Sequence, residues 1–409
     1  MPNIPIFYSR FPKNLVNNVN GWGSFSKPIL DKNIGKLLSL DIDYGTPDLC
    51  SLRCPHCFRK DNKADSDGGG LHRIIYHDKM IKIIEEAIDL GLKSVKFLGA
   101  GEPLEAETAE SNRSVESHVE GESPEFHFLD FLRYLKGKRI VPSIFTKGHV
   151  IGDDNLVKRY YSRYGISTGE ELAEELNRAN ASILLGFNSF DTNVQDAMVG
   201  SLGPKAIVKD YTKKRNRALE LLVNAGLNKF NPTHLCLAIN PVTKANYPEV
   251  LEIYKWARVR NLYPIVCPTM VSGRCANQTA WENINPTDEQ LVDMYTKIYE
   301  FNIREEIQTL EQIKEEGISA YAGGNPCNQI GCGMYITITG TVLRCPGDDV
   351  SVLGNIWTDS LKDIWLRSEN YRLYRGKFNC GCPPKLGRSI PRNLFAEVIK
   401  RLENSEKRE

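Results

Sequence analysis

The sequence LLSLDI (37–42) is a short apolar run, and CSLRCPHC (50–57) follows it closely. An apolar run of this kind, bounded by polar and turn-forming residues, is typical of a buried strand. The second segment places Cys50, Cys54 and Cys57 on one tight loop with the spacing Cys-x3-Cys-x2-Cys. Three thiolates so spaced can bind three corners of a cubane iron–sulfur cluster. The same thiolates, joined by a histidine within the loop or by a distant group, could instead hold zinc.

From residue 37 onward, strand-like and helix-like segments alternate about six times. Such alternation favours parallel β/α units, and the carboxyl ends of their strands are where chemistry is expected. Six units predict an α/β fold, a partial (β/α)6 TIM-like barrel. The predicted strands are 37–42, 94–99, 139–146, 182–187, 233–239 and 263–267, and the main predicted helices are 78–90, 167–179, 209–225, 247–260 and 287–302.

The second predicted strand ends in GAGEP (99–103). Small residues such as Gly99 and Gly101 let a ligand approach the backbone closely, and Glu102 offers a carboxylate to an ammonium group. Neither a zinc finger nor a zinc ribbon needs this second element. The two motifs together favour an iron–sulfur cluster with an open coordination position.

After about residue 320 the sequence becomes rich in Gly, Pro, Asn and Cys. MYITITGTVLRC (334–345) alternates in polarity, and Gly340-Thr341 within it predicts the turn of a β-hairpin. Residues 394–402 predict a closing amphipathic helix. On cysteine chemistry alone, zinc and an iron–sulfur cluster are both possible for this second group. Its cysteines are Cys327, Cys332, Cys345, Cys380 and Cys382.

Composition excludes several classes of protein. The chain has 52 Lys plus Arg and 51 Asp plus Glu, so its net charge of +1 gives no support for a nucleic-acid partner. It has no apolar run long enough to span a membrane and no secretory signal, so we expect no membrane partner and a cytoplasmic location. The acidic insertion 105–125 predicts a solvated loop, with a lid over the strand ends as the alternative.

The cysteine loop after the first strand, with the Gly-Glu-Pro turn after the second, resembles the radical S-adenosylmethionine (SAM) superfamily over roughly residues 37–275. The resemblance implies that Cys50, Cys54 and Cys57 ligate a [4Fe-4S] cluster whose fourth iron binds SAM. It also implies reductive cleavage of SAM to a 5′-deoxyadenosyl radical, which takes a hydrogen atom from the substrate.

The resemblance also implies roles for residues near the cysteine loop. His56 matches the position that packs on adenine. The turn 100–103 matches Gly-Gly-Glu-Pro, with an alanine for the first glycine and Gly99 as compensation. Glu102 would accept a hydrogen bond from the SAM amino group. IFTKG (144–148) resembles a Thr-Asn-Gly strand end, with Lys147 replacing the asparagine.

Three further residues are candidates around SAM. FNSFD (187–191) resembles the segment whose polar side chain contacts the ribose, which makes Asn188 and Ser189 candidates; a plain strand-end turn is the alternative. Arg274 could grip a carboxylate of SAM or of the substrate, and a surface arginine is the alternative. No catalytic residue is assigned.

The second cysteine group resembles the C-terminal extension called SPASM, or its shorter relative, the twitch domain. This implies that Cys327, Cys332 and Cys345 bind one auxiliary [4Fe-4S] cluster, with Cys382 or Cys380 as the fourth ligand. The predicted organisation is an N-terminal extension, a barrel core, a small β-hairpin/helix iron–sulfur domain and a C-terminal helix, at 1–36, 37–305, 306–391 and 392–409.

These resemblances predict a radical SAM enzyme, an oxidoreductase or a lyase, that oxidises, cross-links or cleaves its substrate. Either a peptide or a small molecule could be that substrate, and a modified nucleobase, sugar or amino acid would require a lyase or dehydrogenase. A small electron donor such as flavodoxin or ferredoxin is the expected partner. The alternative from another class is a zinc-binding or scaffold protein on a degenerate barrel.

Overall fold

The structure is a computed structural model that describes residues 1–22, 25–44, 50–59, 77–105, 127–318, 320–327, 329–348, 350–368, 382 and 384–407. Cys380 and the acidic insertion from residue 106 onward lie outside the described residues. The expectations for both therefore stay predictions.

One nine-stranded sheet forms the centre of the described structure, in the order β6-β5-β4-β3-β2-β1-β7-β8-β9. Neighbouring strands from β6 through β1 to β7 are parallel, whereas β7, β8 and β9 are antiparallel. The predicted α/β partial barrel is thereby confirmed. The strands are β1 (Ser39–Ile42), β2 (Ser94–Phe97), β3 (Val141–Thr146), β4 (Ser182–Gly186), β5 (Leu235–Val242), β6 (Tyr263–Pro268), β7 (Gly333–Ile336), β8 (Thr341–Leu343) and β9 (Val352–Asn355).

Helices connect the parallel strands and cover the sheet. In order they are α1 (Lys27–Asp31), α2 (His77–Asp89), α3 (Phe128–Gly137), α4 (Asp154–Tyr161), α5 (Gly169–Arg178), α6 (Thr192–Val199), α7 (Tyr211–Asn224), α8 (Val250–Arg258), α9 (Gln278–Ile284), α10 (Asp288–Arg304), α11 (Leu310–Glu316), α12 (Gln329–Cys332), α13 (Leu361–Arg367) and α14 (Leu394–Glu406).

Local sequence explains why these elements begin and end where they do. Every residue of β4, with the sequence SILLG, is buried, as expected for a parallel strand covered on both faces. Helix α5 begins with a capping box, in which the Thr168 side chain accepts from the Glu171 backbone N–H and the Glu171 carboxylate accepts from the Thr168 N–H.

The predicted hairpin forms, and it extends the barrel sheet. Val342 in β8 pairs with Ile336 in β7, and Gly340 at the turn has φ of 89°, a conformation that favours glycine. β7 then pairs in parallel with β1, so that Met334 lies beside Leu40. The sheet continues from the barrel core into the C-terminal segment and so does not mark a division between them. The predicted domain boundary near residue 305 stays a prediction.

The closing helix α14 packs on the barrel helix α10, and an ion pair from Arg401 to Glu289 (2.8 Å) joins them.

Among the described residues, none of the helices combines the length and the apolar character that a membrane crossing requires.

Candidate active site

Cys50, Cys54 and Cys57 line one cavity beyond the carboxyl ends of the barrel strands. This first cavity encloses about 890 Å³, part of it open to solvent. Because the loops that follow β1, β2, β3 and β6 all reach it, together with the end of β5, the fold brings together segments that are far apart in sequence. Its wall also includes the predicted residues His56, Gly99, Ala100, Gly101, Glu102, Lys147 and Arg274.

Arg274, in the loop that follows β6, braces the cysteine loop. Its backbone N–H donates to the Cys57 carbonyl (3.0 Å) and its Nη1 donates to the Cys54 carbonyl (2.8 Å). The preceding Gly273 has φ of 56°, and a Cβ there would lie 2.5 Å from the Phe58 carbonyl group. Only glycine allows this approach. Arg274 therefore holds the backbone of the loop, and the alternative of a plain surface arginine does not describe it.

Glu105 holds the other side of the loop. The sequence analysis placed it in the solvated acidic insertion, but this residue is buried. Its carboxylate accepts from the Ser51 backbone N–H (3.0 Å) and from the Ser51 hydroxyl, while His149 Nε2 lies 2.7 Å from Oε1. Burial alone would raise the pKa of Glu105, but the contacts with His149 and Ser51 outweigh it and the pKa is lowered. The ionised carboxylate thus fixes Ser51, next to Cys50.

Glu102 is buried, and its carboxylate faces the end of β3. Thr146 Oγ1 donates to Oε1 (2.5 Å) and the Lys147 backbone N–H donates to Oε2 (2.8 Å). Burial raises the pKa of this carboxyl, and these donors partly offset the effect. A carboxylate held at a cavity wall in this way can accept a further hydrogen bond from an ammonium group.

His56 is neutral in this environment. Burial, with the nearby positive charges of Lys147 and Arg274, lowers its pKa to about 3. Burial likewise raises the pKa of the Cys50 and Cys54 thiols, although the same two cations favour the Cys54 thiolate. Three cysteines beside two cations at the wall of one cavity fit an anionic thiolate-bound cluster. A neutral imidazole suits stacking on a base.

Asn188 and Ser189 lie just past β4 and are fully buried. Asn188 Oδ1 accepts from the Asn240 backbone N–H (3.0 Å), and Ser189 Oγ donates to Glu249 Oε1 (2.8 Å). Asn240 lines the first cavity, whereas Asn188 and Ser189 lie behind its wall. Their role at the ribose stays a prediction.

A second cavity, of about 910 Å³, lies against the C-terminal segment, and Cys327, Cys345 and Cys382 line it. Cys332 is buried nearby at the end of α12, where its carbonyl accepts from the Leu38 N–H (2.8 Å). Within the described parts of the chain, no three His, Cys, Asp or Glu side chains lie close enough together to hold one metal ion. The two cavities share the wall residues Phe58, Leu98, Phe145, Asn240 and Met270.

A buried ion pair between Asp41 and Lys96 lines the second cavity. Asp41 in β1 and Lys96 in β2 are register partners, and Lys96 Nζ lies 2.8 Å from Asp41 Oδ1. Lys96 also donates to Gln329 Oε1 (3.0 Å) and lies over the Trp22 ring. Burial raises the pKa of Asp41 to about 6, although Lys96 opposes the shift. The signal in the sequence was a charged residue in the middle of each apolar strand.

Comparisons with known proteins agree with this arrangement. Residues 327–383 match the SPASM family, described as an iron–sulfur cluster-binding domain. Among curated proteins, none matches this sequence.

Several solved structures share the fold. Native anSMEcpe with bound AdoMet has a TM-score of 0.55 at 14% identity, covering 91% of this chain and 99% of its own. Native anSMEcpe with bound AdoMet and Cp18Cys peptide has the same TM-score and coverage at 15% identity. A histidine-tagged form of anSMEcpe with bound AdoMet has a TM-score of 0.54 at 16% identity, covering 90% of this chain and 96% of its own.

The chain therefore has the fold of these AdoMet-bound proteins and contains a SPASM domain. The family match confirms the predicted SPASM-type extension, and the structural matches show a shared fold. The family match also supports an iron–sulfur cluster in the C-terminal segment.

Proposed function

We propose that the protein is a radical SAM enzyme whose substrate lies between two iron–sulfur clusters. The observation that carries this proposal is the shared wall: the cavity of Cys50, Cys54 and Cys57 and the cavity of Cys327, Cys345 and Cys382 have five lining residues in common. A substrate between them would meet both sites.

Each group of residues has a distinct task in this proposal. Cys50, Cys54 and Cys57 would hold the cluster that, when bound with SAM, supplies a hydrogen-abstracting radical. Glu105 accepts a hydrogen bond from Ser51 of the cysteine loop, and Arg274 donates to the Cys54 carbonyl. These contacts keep the loop in place. Phe58, Leu98, Phe145 and Met270 would exclude water around the reacting group.

The auxiliary cluster would be held by Cys327, Cys332 and Cys345 with Cys382. Cys382 lines the second cavity together with Cys327 and Cys345, which supports it as the fourth ligand. Such a cluster can accept the electron left on a substrate radical, which favours an oxidation. It would otherwise relay electrons or bind the substrate directly.

A peptide and a small molecule are the two candidate substrates. The peptide candidate is favoured by the similar fold of anSMEcpe, one structure of which holds a Cp18Cys peptide. The small-molecule candidate is favoured by the largely apolar second cavity, whose wall carries the buried pair of Asp41 and Lys96 among its polar groups.

The test is anaerobic incubation of the iron-loaded protein with SAM and dithionite, followed by quantification of 5′-deoxyadenosine. The proposal predicts methionine and 5′-deoxyadenosine in equal amounts. Protein that binds zinc in place of iron, or that leaves SAM intact after reduction, would favour the scaffold alternative. Flavodoxin in place of dithionite tests the expected electron donor.

A further inference from the structure

The loop between α6 and α7, residues 200–210, packs against the cysteine loop. Its Val208 side chain lies in a small buried cluster with Leu52, and both Cys50 and Cys54 pack against that cluster. The outer surface of this loop is therefore close to the predicted cluster ligands.

The backbones of the two loops are also in contact. The Arg53 N–H donates to the Val199 carbonyl (3.0 Å), and a Cβ on Gly200 would lie 2.5 Å from the Arg53 carbonyl oxygen. The Arg53 side chain is exposed, yet its Nη1 donates to the Cys50 carbonyl. Its guanidinium thus connects the protein surface to the cysteine loop.

Two large apolar side chains of this loop are exposed: Leu202 by 52% and Ile207 by 62%. Lys205 and Lys209 are exposed beside them, and Asp210 is the one exposed carboxylate in the fully described stretch 200–210. Because the whole chain has a net charge of only +1, this is a local excess of positive charge around an apolar centre. The loop patch, as we call it, consists of Arg53, Leu202, Lys205, Ile207 and Lys209.

Hydrogen bonds fix the shape of the loop patch. Ser201 Oγ donates to the Val208 carbonyl (2.5 Å), and Lys209 Nζ donates to the Gly203 carbonyl (2.8 Å). Of the described residues that line the two cavities, none belongs to the loop patch. A protein bound on it would therefore leave both cavities open.

An exposed apolar centre with a charged rim is typical of a surface that binds another protein. The positive rim selects an acidic partner and speeds its association. Electron transfer slows steeply as the distance between two redox centres grows, so a surface in contact with the cysteine loop suits a redox partner. The small size of the loop patch fits the small interfaces of transient redox complexes.

We propose that the loop patch is the docking surface for a small acidic protein that carries one electron at a time. This inference rests on the proposed function and names the surface that its electron donor uses. The reduced flavin or iron–sulfur centre of the carrier loses one electron, and the cluster of the cysteine loop gains it; no covalent bond forms or breaks.

The test uses flavodoxin as the acidic carrier and the iron-loaded protein under anaerobic conditions. Calorimetry gives the dissociation constant of oxidised flavodoxin, and stopped-flow absorbance gives the rate at which reduced flavodoxin reduces the protein. The variants are Lys205→Glu and Ile207→Ser, with Lys205→Arg to keep the charge. Matched controls are Lys93→Glu and Ile34→Ser, because both residues are exposed and precede strands of the barrel, at the sheet edge opposite the cysteine loop.

Lys205→Glu should raise the dissociation constant and lower the bimolecular reduction rate by about tenfold each at low salt, and the effect should shrink at high salt. Ile207→Ser should weaken binding by about fivefold at either salt concentration, because it removes apolar contact area. Lys205→Arg and the two controls should match the wild-type protein. Reduction by dithionite should be equal in all of them.

Unchanged binding and reduction rates in both Lys205→Glu and Ile207→Ser would overturn the proposal. An equal loss in Lys93→Glu would also overturn it, since net charge and not the loop patch would then govern the encounter. So would slower reduction by dithionite in the patch variants, because the loop patch would then serve the cluster itself.

The wild-type protein separates this inference from the proposed function. If dithionite supports formation of 5′-deoxyadenosine but flavodoxin does not bind, the docking proposal alone fails. If dithionite supports no formation of 5′-deoxyadenosine, the proposed function itself fails.

Discussion

Arg59 and Asp43 form a fully buried ion pair, with Arg59 Nη2 2.6 Å from Asp43 Oδ2. Arg59 follows the cysteine loop, and Asp43 follows β1. The Asp43 carboxylate also accepts from the Tyr335 hydroxyl (2.5 Å) and from the Ile338 N–H (3.2 Å), which belong to the hairpin of the C-terminal segment. One carboxylate thus ties the first cysteine group to the SPASM domain.

The first prediction concerns this pair. Asp43→Asn should lower the free energy of unfolding by about 3–5 kcal/mol, because it leaves the Arg59 charge buried and uncompensated. Asp31→Asn is the control: Asp31 pairs with Lys27 on the surface, where both side chains are more than half exposed, and should cost less than about 1 kcal/mol. Anaerobic urea unfolding measures both. Equal effects would contradict a structural role for the buried pair.

The second prediction concerns Glu102. Glu102→Gln keeps the shape of the side chain and removes its charge, so SAM should bind about ten- to a hundredfold more weakly. Iron content should stay the same. Glu174→Gln, on the exposed face of α5, is the matched control and should leave SAM binding unaltered. Equilibrium dialysis provides the measurement, and unchanged affinity in Glu102→Gln would remove this residue from the site.

The third prediction concerns pH. Burial raises the pKa of Asp41 from 3.8 to about 6, so the folded protein holds this proton more tightly than the unfolded chain does. Stability due to Asp41 is therefore greatest at low pH and is lost as pH rises from about 4 to about 6. Relative to Asp41→Asn, the wild-type protein should lose about 3 kcal/mol over that range. Urea unfolding at three pH values measures the difference, and a constant difference would show that Asp41 titrates normally.

The fourth prediction concerns the fourth ligand of the auxiliary cluster. Cys382→Ala should abolish the paramagnetic resonance signal of that cluster, because Cys382 lies in the same cavity wall as Cys327 and Cys345. Cys380→Ala should retain it. Cys236→Ala, which removes a buried thiol of β5 outside this cavity wall, is the control. Loss of the signal only in Cys380→Ala would reverse the assignment.

Much of the barrel could be predicted from the sequence, because buried parallel strands appear in it as continuous apolar runs. β2 and β4 begin at the predicted residues, and the helices α5 and α10 begin within two residues of their predicted starts. Helix α3 was not predicted, although Phe128, Leu132 and Leu135 recur at helical spacing and are buried. The helix directly follows the acidic insertion, and no sequence pattern there indicates the residue at which the helix begins.

The contacts that hold the site depend on long-range geometry. Tyr335 reaches Asp43 only because β7 adds to the sheet beside β1, and no local pattern predicts that pairing. Cys267 in β6 is buried, and Lys385 donates to its sulfur. That contact joins two segments 118 residues apart. Motif spacing predicts which cysteines are ligands, whereas the contacts around them could be found only from the fold.

We propose that the protein holds two separate clusters, and the iron content of the Cys50/Cys54/Cys57→Ala triple variant tests this proposal most directly. The wild-type protein, purified anaerobically, should contain about eight iron atoms per chain, as two cubane clusters require. The triple variant should keep about half of that iron, because the C-terminal cysteines still hold their own cluster. Loss of all iron from a variant that remains folded, or zinc in place of iron in the wild-type protein, would contradict the account.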